Sequence, residues 1–411
     1  MRRPAKILTA GILVAILPCA AATSQTLDSV IVVDQVKIDD VFAGQTLDVV
    51  EVTETTTATT TATGNAFQGS GEGVTLDVRA NQNLQADVTA DTRLDAAVYS
   101  GQTTVLSTAA TGNTGDSNIY GGVLTGVYNQ TTGPGTIYGH SHVEAPDAEA
   151  GDVSASVQAS GNSQGFGVSY GAVGALVNQT NEADVVADGG GTYGYVTGDA
   201  TFAGAAAGNN VTSTAVGAAG ERYVINQTNS AGLTQASQFT AFGNGYLTTT
   251  SSTATGNNIA ATNEGGLLDV TTTQENQAYV RAQTESSGYQ FGAGASLAYG
   301  VGNSLLAGNY GPETVIDAVQ LNDGGGVEVI AGYTGAEGYD ASASATAIGN
   351  AATGYACSDC DGRITATSQQ VNNVDVGATA NVTVTGYARS ATGVANAIGN
   401  TATFYVSQPS P

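Results

Sequence analysis

The sequence has few of the large side chains from which conventional cores are built. Its 411 residues include no Trp, 18 Tyr and 8 Phe, so aromatic residues make up only 6% of the chain. Gly, with 56 residues, and other small side chains take their place. Because small side chains fill little volume, the core must be a thin layer in which backbones approach closely. This composition favours stacked sheets over packed helices.

Basic residues are also scarce. The chain has 10 Lys and Arg against 35 Asp and Glu, which gives a formal net charge of -25. A field of this sign repels phosphate groups, so nucleic acid is excluded as a partner and anionic membrane surfaces are disfavoured. The scattered carboxylates are typical of a solvated acidic surface that maintains solubility, rather than of a calcium site.

Long apolar runs are confined to the N-terminus. Residues 1–22 have a basic start, an apolar stretch over residues 7–17 and small residues at the end, which predicts a secretory signal peptide. Lipid attachment at Cys19 is the alternative, but the preceding Pro18 does not fit a small-residue lipidation motif. No other apolar run reaches the ~20 residues of a membrane-spanning helix. We therefore expect a secreted protein.

Residues that commonly carry chemistry are few. Beyond the signal peptide only Cys357 and Cys360 remain, and in an exported chain this spacing predicts a local disulfide. The only histidines are His140 and His142. Their spacing would place both side chains on one face of a strand, where they could bind a metal, but no cysteine lies near them. A solvated loop is the stronger interpretation. We predict no catalytic residue, no metal site and no cofactor.

A Gly-Asn pair recurs along the chain at intervals of 46 to 50 residues, each at the end of a stretch of small residues. Such regularity is typical of a repeat protein, and we predict about eight units of 47 to 50 residues. An Asn at the same position in every unit can form side-chain hydrogen bonds with the Asn of the unit above and of the unit below, which makes an amide ladder. The predicted ladder residues are Asn65, Asn113, Asn162, Asn209, Asn257, Asn303, Asn350 and Asn400.

A second repeated feature lies between the Gly-Asn pairs. It is an Asn-Gln dipeptide, most regular at Asn129-Gln130, Asn178-Gln179 and Asn226-Gln227. We predict that these residues stack as ladders too. The alternative is that they form surface turns without side-chain bonding.

The segments between these features alternate with period two. Val153, Ala155, Val157 and Ala159, for example, are separated by polar residues, which predicts strands with one buried face. Units of strands and turns that cannot bury their apolar face alone stack on one another, so we predict an all-β solenoid with a thin Ala, Val and Gly core. Each unit is either one flat coil or two coils of about 24 residues, giving a stack of roughly 40 or 75 Å.

The predicted domain boundaries follow from the repeats. Residues 23–60 form an N-terminal cap or a first irregular layer, residues 61–406 form the solenoid, and residues 407–411 form a tail that its prolines keep out of the sheets. The ends of such a solenoid expose strand edges that invite self-assembly. A structural or adhesive role is predicted, and the alternatives are a carbohydrate-active β-helix enzyme or the subunit of a structural fibre.

Together, the signal sequence, the Gly-Asn pairs in Ala- and Thr-rich strands and the Asn-Gln-Thr segments resemble the holdfast anchor family HfaD of stalked bacteria. The likeness extends over essentially the whole mature chain, and the same features are loosely similar to curli subunits. The resemblance implies a protein exported through a curli-type outer-membrane pore to the cell's outer surface, where it stays associated with the outer membrane. It further implies that sister anchor proteins and an extracellular polysaccharide, the holdfast, are its partners.

Overall fold

The structure is a computed structural model that describes residues 28–357 and 362–406. These residues form twenty β-strands, and every strand pairing is parallel. The all-β solenoid predicted from the repeats is therefore confirmed. The predicted signal peptide and the C-terminal tail lie outside the described residues.

The chain winds through eight stacked coils, and each coil has three sides, which we call A, B and C. Side A is a ten-residue strand in every coil, and these strands form one eight-stranded sheet. In coils 1 to 8 the strands of side A are β1 (Asp28–Lys37), β4 (Thr75–Leu84), β7 (Val123–Thr132), β10 (Ala172–Asn181), β12 (Gly220–Asn229), β14 (Leu267–Asn276), β16 (Glu313–Asn322) and β18 (Arg363–Asn372).

Sides B and C form a second, larger sheet. In coils 1 to 3 they are separate strands: β2 (Val41–Glu51) and β3 (Thr55–Glu72), β5 (Val88–Tyr99) and β6 (Thr103–Tyr120), and β8 (Thr136–Ala150) and β9 (Asp152–Ser169). In coils 4 to 7 one strand bends from side B into side C: β11 (Asp184–Val216), β13 (Leu233–Glu264), β15 (Tyr279–Asn309) and β17 (Val327–Ala356). Coil 8 again has separate strands, β19 (Val376–Val384) and β20 (Ser390–Val406).

The pairing register decides between one and two coils per repeat. Asn129 pairs with Asn178, and Asn178 pairs with Asn226, so one full repeat separates neighbouring strands. Each repeat is therefore one coil. Coil 1 pairs with coil 2 along all three sides, and the boundary predicted between residues 60 and 61 falls inside β3.

The core lies between side C and the two shorter sides. Val88 of β5, Ala110 of β6 and Val157 of β9 belong to one buried cluster of mostly Ala and Val side chains. Burying a Val or Leu side chain stabilises a fold by ~1.5–3 kcal/mol, so eight coils of such contacts supply the main driving force. The core is not uniformly small, because four tyrosines are fully buried: Tyr128, Tyr193, Tyr223 and Tyr333.

The repeated glycines lie where neighbouring coils approach most closely. A Cβ atom added at Gly112 would lie 2.5 Å from the carbonyl oxygen of Gly161, and one at Gly208 would lie 2.6 Å from that of Gly256. Backbone atoms cannot move aside cheaply, so only glycine fits at this position. Gly399, in the last coil, has no such neighbour among the described residues.

Candidate functional site

The Asn residues of the Gly-Asn pairs form one inward-facing column through all eight coils. Nδ2 of each Asn donates to Oδ1 of the Asn in the next coil at 2.8–2.9 Å, across 46 to 50 residues. The same Nδ2 also donates to a backbone carbonyl of side A, as Asn209 does to Thr228 at 2.8 Å. The members are Asn65, Asn113, Asn162, Asn209, Asn257, Asn303, Asn350 and Asn400.

A column of glutamines runs beside the Asn column, and its hydrogen bonds point in the opposite direction along the stack. Nε2 of each Gln donates to Oε1 of the Gln in the preceding coil at 2.7–2.9 Å. The column contains the three predicted glutamines, Gln130, Gln179 and Gln227, and five that are not among the predicted ladder residues. Those five are Gln35, Gln82, Gln274, Gln320 and Gln370.

The Asn and Gln of each Asn-Gln dipeptide face opposite sides of the sheet, because successive side chains of a strand alternate. Gln179 is buried, whereas its neighbour Asn178 faces outward and donates to Asn129 at 2.9 Å. Asn226 in turn donates to Asn178 at 2.9 Å. The dipeptide thus contributes to two separate columns, and the outward one is short.

A further buried Asn column, which the sequence repeats do not predict, begins in coil 4. Asn181 donates to Asn229 at 2.9 Å, and the bonding continues through the later coils. Its members lie two residues after the column glutamines in the later coils, at Asn276, Asn322 and Asn372. Buried amides without partners cost ~1–3 kcal/mol each, so these columns favour one register of stacking over all others.

The remaining residues singled out in the sequence do not converge. Cys357 is disulfide-bonded, and Cys360, its predicted partner, lies outside the described residues.

His140 and His142 lie on β8, so the loop predicted for them is wrong. Nδ1 of His140 is 2.7 Å from Oδ1 of Asp91, and burial lowers the pKa of His142, helped by the nearby His140. Among the described residues no cluster of His, Cys, Asp or Glu could hold a metal ion.

Two Gly-x-Ser-x-Gly pentapeptides, at residues 161–165 and 167–171, also occur in this region. The first lies within β9, and the second spans the end of β9 and the turn that leads to β10. The nucleophile elbow of hydrolases requires a strand, a sharp turn and then a helix. Here strands lie on both sides of the turn, so neither pentapeptide forms that elbow.

The corner between sides B and C differs along the rod. In coils 1 to 3 it is lined mainly by charged side chains, and Arg93 donates to Glu144 at 3.0 Å and to Asp95 at 2.9 Å. In coils 4 to 8 the same corner forms a groove of about 480 Å³. Tyrosines, polar side chains and glycines line it: Tyr195, Asn244, Gly245, Tyr246, Gln290, Phe291, Gly292, Glu337, Gly338, Tyr339 and Tyr387.

The strand register positions the groove residues. Tyr195, Asn244, Gln290 and Glu337 occupy one column of paired residues on successive coils. The next column, Gly245, Phe291 and Gly338, forms the floor, and Phe291 is buried.

Two tyrosines form the other wall of the groove. Tyr246 and Tyr339 directly precede Leu247 and Asp340, which pair with Ala293 from its two sides, so the tyrosines lie two coils apart with Gly292 between them. At ~4.8 Å per coil this places them about 10 Å apart along the rod.

The tyrosine rings are held open to solvent on a rigid support. Tyr246 is 68% exposed and Tyr339 is 59% exposed, although the residues on either side of each ring are paired with the neighbouring coil. The guanidinium of Arg389 lies 5.7 Å from the Tyr339 ring centre and is paired with Asp340. Glu337 has no ion-pair partner among residues 28–357 and 362–406. The groove therefore combines aromatic faces, amide groups and a free negative charge.

Comparison with known proteins identifies the family. The family model of holdfast attachment protein D, HfaD, matches residues 50–326, which is more than half of the chain. No curated protein and no solved structure matches the sequence. The described residues contain no helix that is long and apolar enough to cross a membrane. The chain belongs to the holdfast attachment protein D family.

Proposed function

We propose that this protein is a surface-exposed, non-enzymatic anchor that holds the holdfast polysaccharide in its tyrosine-lined groove. The observation that carries the proposal is the placement of Tyr246 and Tyr339, two exposed rings on one rigid corner of the stack. Soluble proteins rarely expose grouped aromatic side chains unless these bind something. A binding surface of this kind suits the attachment role of the family.

The chemistry of the groove suits a sugar polymer. Sugar rings have apolar faces that pack on aromatic rings, and their hydroxyl groups need hydrogen-bond partners such as Asn244 and Gln290. The groove runs along the stack, so an extended chain can contact Tyr246 and Tyr339 together. Glu337 and the net charge of -25 favour a polymer that is neutral or carries amino groups over an anionic one.

The cellular setting of the proposal comes from the family resemblance. We propose that the protein reaches the outer surface through a curli-type outer-membrane pore and stays associated with the outer membrane. Sister anchor proteins would then complete the attachment between the cell envelope and the polysaccharide. The rigid stack supports this role, since an anchor under load must not yield at its binding surface.

Binding of defined polymers to the purified protein tests the proposal. We expect a neutral glucan or chitosan to bind, and polygalacturonate to bind much more weakly. Tyr339→Ala should weaken binding about tenfold, and Tyr246→Ala with Tyr339→Ala about a hundredfold, because each ring supplies one stacking contact. Cells that express only the double variant should shed their holdfast.

Tyr120→Ala is the matched control. Tyr120 is 54% exposed, but it lies at the opposite corner, between sides C and A. Its loss should leave polymer binding unchanged. Equal weakening by Tyr120→Ala and Tyr339→Ala, or no weakening by either, would show that the groove is not the binding site.

A further inference from the structure

The two buried amide columns run in opposite directions and leave complementary groups at the two ends of the rod. In the Asn column each Nδ2 donates toward the C-terminal end, so Asn400 is left with a donor and Asn65 with an unused Oδ1 acceptor among the described residues. In the Gln column each Nε2 donates toward the N-terminal end, so Gln370 is left with an unused Oε1. Gln35, at the opposite end, uses its Nε2 only toward the carbonyl oxygen of Ala66.

We propose that the C-terminal face of one molecule binds the N-terminal face of a second copy, so that both columns continue through the contact. Asn400 of one molecule then donates to Asn65 of the next, and Gln35 of the next donates back to Gln370. Each bond repeats a contact that occurs seven times inside the molecule. The proposal goes beyond polysaccharide binding, because the groove lies on the flank and needs no second copy.

The strands at the two ends fit the same register on all three sides. Strands β1, β2 and β3 begin at residues 28, 41 and 55, and strands β18, β19 and β20 begin at residues 363, 376 and 390. The separation is 335 positions in each case. A coil 1 placed on a coil 8 therefore aligns all three pairs of strands at once, with Asn65 on Asn400 and Gln35 on Gln370.

Exposure and charge at the ends support the same partner. Of the seventeen residues of β20, only Thr401 is not exposed to solvent, whereas the corresponding side C residues of coil 7 are mostly buried. Residues 29–74 carry seven acidic side chains and only Lys37 as a base, a net charge of -6. Residues 362–406 carry Arg363, Arg389 and Asp375, a net charge of +1. The acidic N-terminal face therefore repels a second N-terminal face. The C-terminal coil carries little net charge, and its Arg363 and Arg389 are already paired with Glu313 and Asp340 of coil 7.

Gly399 allows the contact to be tested without disturbing the fold. A Cβ at Gly399 meets only the side chain of Asn372, at 3.9 Å, so Gly399→Ala should fold as the parent does. In the proposed contact, however, this Cβ would face the carbonyl oxygen of Gly64 of the second copy, where the corresponding distance inside the molecule is about 2.3–2.6 Å. The matched control is Gly377→Ala, whose Cβ would meet nothing within 4 Å.

Sedimentation of the purified protein over a range of concentrations gives the first measurement. We expect association of the parent and of Gly377→Ala, and association at least about tenfold weaker for Gly399→Ala. Circular dichroism should show the same strand content in all three. Monomers alone at every concentration, or equal association of Gly399→Ala and the parent, would overturn the proposal.

Cysteine trapping tests the polarity. Asp34→Cys and Gln369→Cys place single thiols on outward positions of β1 and β18 that correspond in the proposed register. Neighbouring parallel strands bring Cα atoms to ~4.8 Å, within the range for a disulfide. We expect cross-linked dimers when the two variants are mixed and oxidised, and none from either variant alone. Cross-linking within one variant would show that like faces meet, which contradicts the proposal.

Discussion

The interior and the corner of the rod differ in how they change along the chain. The Asn column of the Gly-Asn pairs and the Gln column run through coils 1 to 3 and coils 4 to 7 alike, with bonds of 2.8–2.9 Å in both parts. The corner between sides B and C changes from charged in the first three coils to tyrosine-lined in the later ones. The interior thus specifies the stacking, and the corner is free to carry function without altering the fold.

The largest effect is expected from breaking the interior at a glycine where neighbouring coils approach closely. Gly208→Ala would press a Cβ against Asn229 and the carbonyl oxygen of Gly256, both within 2.6 Å. We predict a loss of about 2–3 kcal/mol in the free energy of unfolding, measured by denaturant titration. Gly112→Ala, in the N-terminal coils, should also destabilise the fold, because its Cβ would lie 2.5 Å from the carbonyl oxygen of Gly161.

The control for this prediction is Gly377→Ala, on the outer surface of side B. It should change the free energy of unfolding by no more than about 0.5 kcal/mol. Equal effects of Gly208→Ala and Gly377→Ala would contradict the close approach of the coils.

Removing one amide from the interior column should have the next largest effect. Asn209→Ala removes one of the two acceptors of Asn162 Nδ2, and it removes the donor to Oδ1 of Asn257 and to the carbonyl oxygen of Thr228. We predict a loss of about 1–3 kcal/mol in the free energy of unfolding. Asn226→Ala, in the outward column, should cost less than about 0.5 kcal/mol, because water replaces its partner. A similar cost for both would show that burial does not distinguish the columns.

A smaller, pH-dependent effect is expected at Glu221, a carboxyl group buried in the later coils. Its Oε1 accepts from the hydroxyls of Ser213 and Tyr223, both at 2.8 Å, while Oε2 has no partner among the described residues. Burial raises the pKa of Glu221 above its ordinary value of 4.5, so the folded protein binds this proton more tightly than the unfolded chain does.

The sign of the effect follows from that difference. The parent should lose stability as the pH rises from about 4.5 through the raised pKa, while Glu221→Gln should lack this loss. We predict that Glu221→Gln is the more stable of the two at neutral pH, by about 1 kcal/mol. Denaturant titrations at several pH values measure the difference between the two proteins. Parallel pH profiles would show that Glu221 does not titrate on unfolding.

The repeat and the all-β stack could be predicted because the interior uses the same residue in every coil. The choice of one coil per repeat could not, since 48 residues fit one long coil or two short ones equally well. The glutamine column was only partly recognisable, because the outward Asn before each Gln is replaced in the last coils, as by Thr273 before Gln274. In the last coils an Asn follows the column Gln by two residues, as Asn322 follows Gln320. This spacing is the sequence feature that identifies the glutamine column.

The groove could not be predicted, because the alternation of inward and outward side chains is interrupted where the strand bends from side B into side C. Tyr193 and Tyr195 are two residues apart, so a straight strand would place both rings on the same face. The chain turns the corner between them, where the pairing register shifts, and Tyr193 is 1% exposed while Tyr195 is 41% exposed. Where a ring points therefore depends on the position of the corner, which the alternation pattern does not mark.

Hydrogen exchange with and without a bound polymer tests most directly the claim that the later corner is the functional one. With chitosan bound, we predict slower exchange of backbone amides at residues 244–246, 290–292 and 337–339, and no change at residues 95–99 and 146–150. Protection of the charged corner of the first coils, or of the flat faces instead of the groove, would contradict the account.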